Sequence, residues 1–236
     1  DNFGHSVAIS GNYAIVGAYA EDDAGGLISG KAYIYDNTTG TLLYTLDNPN
    51  AYNTSDYDYF GFSVAISGNY AIVGAYFEDD AGGTSSGKAY IYDLTTLPTA
   101  PATISSADYV LDNPNAYGTS TNDKFGDSVA ISGNYAIVGA WGDDKAYIYN
   151  LATLPTAPAT ISSADYVLDN PNAYASTADQ FGDSVAISDT YAIVCAWFVD
   201  DAGDNSSGKS YIYALTTLPT APTATFSADY VLDTPI

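Results

Sequence analysis

Short runs of carboxylates follow the most apolar stretches of this 236-residue chain: Glu21-Asp22-Asp23, Glu78-Asp79-Asp80, Asp143-Asp144 and Asp200-Asp201. Clustered aspartates are hard oxygen donors of the kind that coordinate calcium. Asp22, Asp23, Asp79, Asp80, Asp143, Asp144, Asp200 and Asp201 are therefore candidate metal ligands. Their spacing matches no standard calcium loop, and the competing reading is a solvated acidic surface screened by salt. An aromatic residue stands shortly before each run: Tyr19, Tyr76, Trp141 and Trp197. Rings beside Asp and Asn can stack on a sugar and hydrogen-bond it, so these four are candidate ligand-binding residues. The alternative role for them is packing between neighbouring structural units. Trp141 is followed by only Gly142-Asp143-Asp144, which predicts that its ring is the least covered of the four.

Little else in the chain points to chemistry. His5 is the single histidine and has no nucleophile motif around it. Paired carboxylates are so numerous that no one pair marks a glycosidase cleft, and the chain reads as non-enzymatic. Cys195 is the only cysteine, so no intrachain disulfide can form. It stands where other parts of the chain have Gly17, Gly74 and Gly139, and it reads as a small buried filler. The 28 acidic residues face five lysines and no arginine, a formal net charge of -23. Phosphate binding needs a basic footprint, so nucleic acid is excluded as a partner and an anionic membrane surface is disfavoured. Only Glu21 and Glu78 are glutamate. Aspartate suits turns, where its short side chain bonds nearby backbone. Methionine is absent even at position 1, which suggests a processed product or a segment of something longer. No run is long enough to span a bilayer as a helix.

The elements that must position these residues come from a repeat. Phe3-Gly4, Phe60-Gly61, Phe125-Gly126 and Phe181-Gly182 each open a near-copy of one paragraph, at offsets of 57, 65 and 56 residues. The repeats are 1–59, 60–124, 125–180 and 181–236, forming a single domain. A period of this size signals units that bury their faces against one another. Four strands follow in fixed order. In the first repeat these are strand a, Ser6-Val7-Ala8-Ile9-Ser10, a Gly11-Asn12 hairpin turn, strand b, Tyr13-Ala14-Ile15-Val16-Gly17-Ala18-Tyr19, strand c, Lys31-Ala32-Tyr33-Ile34-Tyr35, and strand d, Leu42-Leu43-Tyr44-Thr45-Leu46. The Asp47-Asn48-Pro49-Asn50 segment stops strand d, since proline cannot donate to a ladder. No helical periodicity of useful length is present.

Strand b is apolar at consecutive positions, the pattern of a strand covered on both faces. Four-stranded sheets stacked face to face around an axis meet that need. The fold class is therefore all-β, a β-propeller of four four-stranded antiparallel blades. The alternatives are half of an eight-blade ring built from two chains, or a fragment of a seven-blade propeller. In the favoured closed ring, the first and last blades pack on each other and the termini lie close together.

These residues resemble the FG-GAP repeats of integrin α-chain propellers and their bacterial relatives. The likeness rests on the Phe-Gly before strand a, the Ile-Val-Gly-Ala ending strand b and the Gly-Lys-Ala-Tyr-Ile-Tyr of strand c. Tyr19, Tyr76, Trp141 and Trp197 stand in place of the family's proline after Gly-Ala. Calcium-binding members carry Asp-x-Asp-x-Asp-Gly between strands a and b, where this chain has only Ser-Gly-Asn or Ser188-Asp189-Thr190. The resemblance implies adhesion receptors, lectin-like modules or domains attached to enzymes.

An up-and-down blade puts the b–c and d–a loops on one rim, which should be strongly negative. The Gly-Asn turns and Thr/Pro-rich c–d loops such as Leu97-Pro98-Thr99-Ala100-Pro101 occupy the other. The Tyr-x-Tyr pairs of strand c read as packing between blades, and Lys31, Lys88, Lys145 and Lys209 as neutralising local carboxylates. The function expected is a non-catalytic extracellular module on a cell or virion surface. It would adhere to or recognise a glycan or protein surface, or decorate a larger particle. Alternatives are a self-assembling structural subunit of a filament or virion appendage, and an accessory domain of a secreted hydrolase.

Overall fold

The computed structural model describes residues 1–22, 26–50, 56–80, 83–115, 121–171, 179–199, 207–218 and 227–233. The first repeat supplies β1 (Val7–Ser10), β2 (Tyr13–Ala18), β3 (Lys31–Asp36) and β4 (Thr41–Asp47). The second supplies β5 (Ser63–Ser67), β6 (Tyr70–Ala75), β7 (Lys88–Asp93), β8 (Ala102–Ile104) and β9 (Tyr109–Asp112). The third supplies β10 (Val129–Ser132), β11 (Tyr135–Ala140), β12 (Lys145–Asn150), β13 (Ala159–Ile161) and β14 (Tyr166–Asp169). The fourth supplies β15 (Phe181–Ile187), β16 (Tyr191–Ala196), β17 (Lys209–Ala214) and β18 (Tyr230–Asp233). Each repeat forms one antiparallel meander in the order a-b-c-d, as the strand pattern predicts. The hairpins register as Ser10↔Tyr13 and Ser67↔Tyr70, with Gly11 and Gly68 at φ of 54° and 56°, where glycine carries no Cβ penalty.

The Thr/Pro-rich c–d connections are not plain loops. β8 leaves its own repeat and pairs in parallel with β4 of the first sheet, Thr45 opposite Thr103. β13 does the same on β9 of the second sheet, Thr160 opposite Val110. Two sheets thus gain a fifth strand from the following repeat. An uncovered d strand would leave a row of backbone N–H and C=O groups unpaired. The insert satisfies part of that row and ties one blade to the next. The prolines hid this strand, because Pro98 and Pro101 precede it instead of interrupting it.

Stacking follows one rule throughout. The trailing face of the first sheet, with Ile15, Ala32, Ile34 and Leu46, packs on the leading face of the second, with Phe60, Val64, Val73, Tyr90 and Tyr92. Ile72, Ala89, Ile91 and Leu111 meet Phe125, Val138, Tyr147 and Tyr149 in the same way. Ile137, Ala146, Ile148 and Leu168 meet Phe181, Val194, Tyr211 and Tyr213. The Tyr-x-Tyr pairs are packing material between blades, as expected. The a strands lie side by side: Ser6 Oγ accepts from the Val64 amide at 3.0 Å, and Ser63 Oγ donates to the Gly126 carbonyl at 2.7 Å.

The arrangement is propeller-like with four blades, but the expected packing of first on last is not found among the described strands. Val7 and Ile9 on the leading face of the first blade are 66% and 70% exposed. On the trailing face of the fourth, Tyr191 and Tyr230 are 49% and 62% exposed.

Candidate functional site

The rim that carries the b–c and d–a loops is built from side chains at equivalent positions of successive blades. Tyr19, directly after β2, touches the rings of His5, Tyr59 and Phe62 at centroid distances of 4.7, 5.2 and 5.3 Å. Phe62 passes the contact to Tyr76 at 4.4 Å, and Tyr59 passes it to Phe77 at 4.9 Å. Lys124 Nζ then sits 3.4 Å from the Phe77 ring centroid and 5.7 Å from that of Tyr76. A cation over an aromatic face is held by the ring quadrupole. Burial lowers the pKa of this ammonium, offset in part by Asp127 and Asp79.

Beyond Lys124 the belt changes character. The residue after Phe-Gly is Asp127 in the third repeat and Asp183 in the fourth, where the first two have His5 and Phe62. Asp127 accepts a hydrogen bond from Trp141 and Asp183 one from Trp197. Burial and the nearby Asp183 charge push Asp127 up to about 7. Burial likewise raises Asp183. One arc therefore presents rings over the first two blades and indole–carboxylate pairs over the last two.

Trp141 is not the uncovered ring that its short loop suggests. The segment Trp141–Asp143 closes as a single 3-10 turn, and Trp141 is half-buried. Trp197 is the exposed one, at 47%, in tilted contact with Phe198, the ring centroids 4.0 Å apart. The structure thus brings Tyr19 and Tyr76 into one cluster and gives Trp141 and Trp197 carboxylate partners.

The candidate metal ligands are occupied closing their own loops. Asp22 accepts from the Ile28 amide at 2.8 Å, and Asp79 from the Ser85 amide at 2.7 Å. Asp80 accepts from the Gly83 amide and the Ser86 hydroxyl, and Asp144 from the Phe181 amide at 3.0 Å. Asp143 accepts from Lys145 Nζ at 2.7 Å and the Tyr147 hydroxyl at 3.0 Å. Asp23, Asp200 and Asp201 lie outside the described residues. Among the described residues no group of three His, Cys, Asp or Glu side chains is placed to hold a metal ion. The a–b turns hold few carboxylates. Three of them carry no carboxylate, and Asp189 in the fourth accepts from the Ser132 hydroxyl of the neighbouring blade at 3.2 Å.

Part of the acidity lies inside the stack, not on the rim. Asn48 and Asn50 both donate to Asp58 Oδ2, at 2.8 and 2.9 Å. Asn113 and Asn115 grip Asp123 at 3.0 and 2.8 Å, and Asn170 grips Asp179 at 2.9 Å. These aspartates are 1%, 4% and 6% exposed, so the rim is less negative than the d–a assignment predicts. The Asp-Asn-Pro-Asn ending strand d is the other half of the clamp. Only its proline signals in the sequence. Burial, then the Glu78 charge, raises Asp58 to about 7.

The four equivalent lysines pair as expected. Lys31 meets Asp47 at 2.8 Å, Lys88 meets Glu78 at 2.8 Å, Lys145 meets Asp143 at 2.7 Å and Lys209 meets Asp233 at 3.3 Å. In the first three blades the first tyrosine of Tyr-x-Tyr donates to the first acid of the b–c loop, Tyr33 to Glu21 at 2.7 Å, Tyr90 to Glu78 at 2.6 Å and Tyr147 to Asp143 at 3.0 Å. In the fourth blade Val199 takes the acid's place and is buried instead.

Sheets of four antiparallel strands, each buried on its neighbour with Phe-Gly at every joint, define a propeller-type repeat protein. The FG-GAP repeat family matches residues 1–35, 50–92, 115–149 and 175–213, one match in each blade, and the chain belongs to that family. A comparison with curated proteins finds no match. FG-GAP repeats are in general non-enzymatic propeller modules, often engaged in adhesion or recognition and typical of extracellular proteins. No helix among the described residues is long and apolar enough to cross a membrane.

Proposed function

We propose that this protein is a non-catalytic extracellular recognition module whose ligand is a glycan held along the aromatic rim. The observation that carries the reading is the ring belt across the first two blades, where Tyr19, Phe62 and Tyr76 pass contacts from one to the next, together with Trp197, which stands open on the fourth. Sugar rings present apolar faces that stack on such side chains and hydroxyls that bond carboxylates. Asp127 and Asp183, beside the indoles, supply acceptors in that position. With a formal charge of -23 the surface favours neutral or amino sugars over sulfated or sialylated ones.

A glycan array probed with the labelled chain tests this. A hit is expected that weakens about 10-fold when Tyr19 or Trp197 is replaced by alanine, roughly the loss of one stacked ring. Tyr230→Ala, remote from the rim, should leave it unchanged. An array without hits, or a hit indifferent to both rim substitutions, rejects the assignment. A protein partner retained under those conditions would place recognition on a different chemistry.

A further inference from the structure

A very close contact between blades is made by a glycine near the end of each of the first three b strands. A Cβ at Gly17 would stand 3.0 Å from the carbonyl carbon of Gly61 and far inside van der Waals contact with its oxygen. Gly74 is placed identically against Gly126, and Gly139 against Gly182, each 2.9 Å from the carbonyl carbon. The neighbouring Phe-Gly backbone lies directly on the strand, and no side chain can stand between. Three joints thus obey one rule: the trailing blade presents hydrogen where the leading blade presents a carbonyl.

The fourth b strand breaks the rule. Its register is the same, with Cys195 opposite Ser210 as Gly17 is opposite Ala32. The side chain is nevertheless a methylene bearing a thiol, and it is partly exposed instead of being the buried filler its position suggests. Its cross-strand neighbour changes with it, serine replacing the fully buried Ala32, Ala89 and Ala146. Around them lies an open groove of about 370 Å³ lined by Cys195, Trp197, Gly208, Lys209, Ser210 and Asp233. At the inner joints the corresponding place, at Gly30 and Lys31, is filled by Phe60 and Gly61. The leading face of the first blade keeps the pattern, with Phe3 exposed and open space where a Cβ on Gly4 would point.

We infer that Cys195 is a steric stop, barring the fourth blade from receiving a Phe-Gly at the spacing of the inner joints and so keeping the two apolar end faces of this chain from joining head to tail. Without it the two ends would be complementary. Val7 and Ile9 match Val64 and Ile66, and Tyr191 and Ile193 match Tyr70 and Ile72, which are packed together or against a neighbour inside the stack. Heterologous joints of this kind build rings or open filaments, and an exposed apolar sheet invites them.

Sedimentation of the full chain at about 0.15 M salt, where the acidic surfaces are screened beyond roughly 8 Å, tests the inference. Cys195→Gly is expected to at least double the weight-average mass from 24.7 kDa as concentration rises. Cys195→Ala retains the Cβ and should sediment as the parent does. Adding Val7→Asp to Cys195→Gly should return the mass to a single chain, because Val7 belongs to the mating face. Circular dichroism reports whether each variant is folded. Should the glycine variant not fold, the parent is compared with its own Val7→Asp variant, and equal mass is expected. A glycine variant that stays a single chain, an alanine variant that associates equally, or a parent whose association Val7→Asp abolishes would each overturn the stop.

Discussion

Gly74→Ala is the sharpest probe of how the blades are held. The added methyl meets the Gly126 carbonyl from the third blade and also the Ser63 hydroxyl of its own blade, which itself donates to Gly126. Ordinary contact between such atoms needs about 3.5 Å, so the sheets must separate by roughly 1 Å or more. A gap of that size forfeits a quarter to a half of the dispersion energy across the contacting atoms. The cluster it would loosen contains Phe125, Val138, Tyr147 and Tyr149, all nearly or fully buried. Overpacking in a tight core costs about 1–3 kcal/mol and more where backbone must move, so a loss of about 3 kcal/mol or greater is expected. Urea denaturation followed by tryptophan fluorescence measures it, since Trp141 and Trp197 lie in the third and fourth blades. The reverse change at the fourth blade, Cys195→Gly, should cost no more than about 1 kcal/mol, the entropic price of a strand glycine. Were Gly74→Ala to cost less than about 1 kcal/mol, the close-approach account of these joints would be wrong.

Two further expectations concern charge. Asp58, held at about 7 by burial and the charge of Glu78, keeps its proton in the folded state across the window from about pH 4 to 7, where the unfolded chain has lost it. Its contribution therefore favours folding at low pH and is withdrawn as pH rises through that window, by up to about 4 kcal/mol at roughly 1.4 kcal/mol per pH unit. Asp58→Asn keeps an acceptor for Asn48 and Asn50, and should flatten the fall in stability between pH 4 and 7; an unchanged profile in pH-dependent urea titrations contradicts it. For calcium, the loop carboxylates that face solvent already accept backbone and hydroxyl donors. Calcium at about 1 mM, the range of weak extracellular sites, should leave the melting temperature of chelator-treated protein unchanged. A rise of more than about 2 °C would show binding linked to the folded state.

Much of the architecture was legible in residue order. Phe-Gly and Lys-x-Tyr-Ile-Tyr mark each blade, and Ile-Val-Gly-Ala the first three, because strands covered on both faces must be apolar at consecutive positions. The lysine pairing and the inter-blade tyrosines were readable from repetition alone. The strand β8 was not, since Ala102-Thr103-Ile104 has an edge to pair with only once the first sheet exists. The Asn48–Asn50–Asp58 clamp was equally hidden: three polar residues in one connection between strands look solvated until folding buries them. Of the rim, Tyr19 and Tyr76 could be named from sequence. Tyr59, Phe62 and Lys124 could not, because their rings and charge meet only where two blades adjoin.

By itself the chain's order of residues determined local matters: four meanders, their turns, their apolar faces and the acid at each b–c loop. These depend on neighbours a few positions away and on a period that recurs. Tertiary structure decided which carboxylates are buried, which rings join into a belt, that the first and fourth sheets remain apart, and that the Cys195 side chain stands where three joints demand hydrogen. Each of those depends on how separate strands and loops are brought together, and such distances exist only after the sheets have stacked.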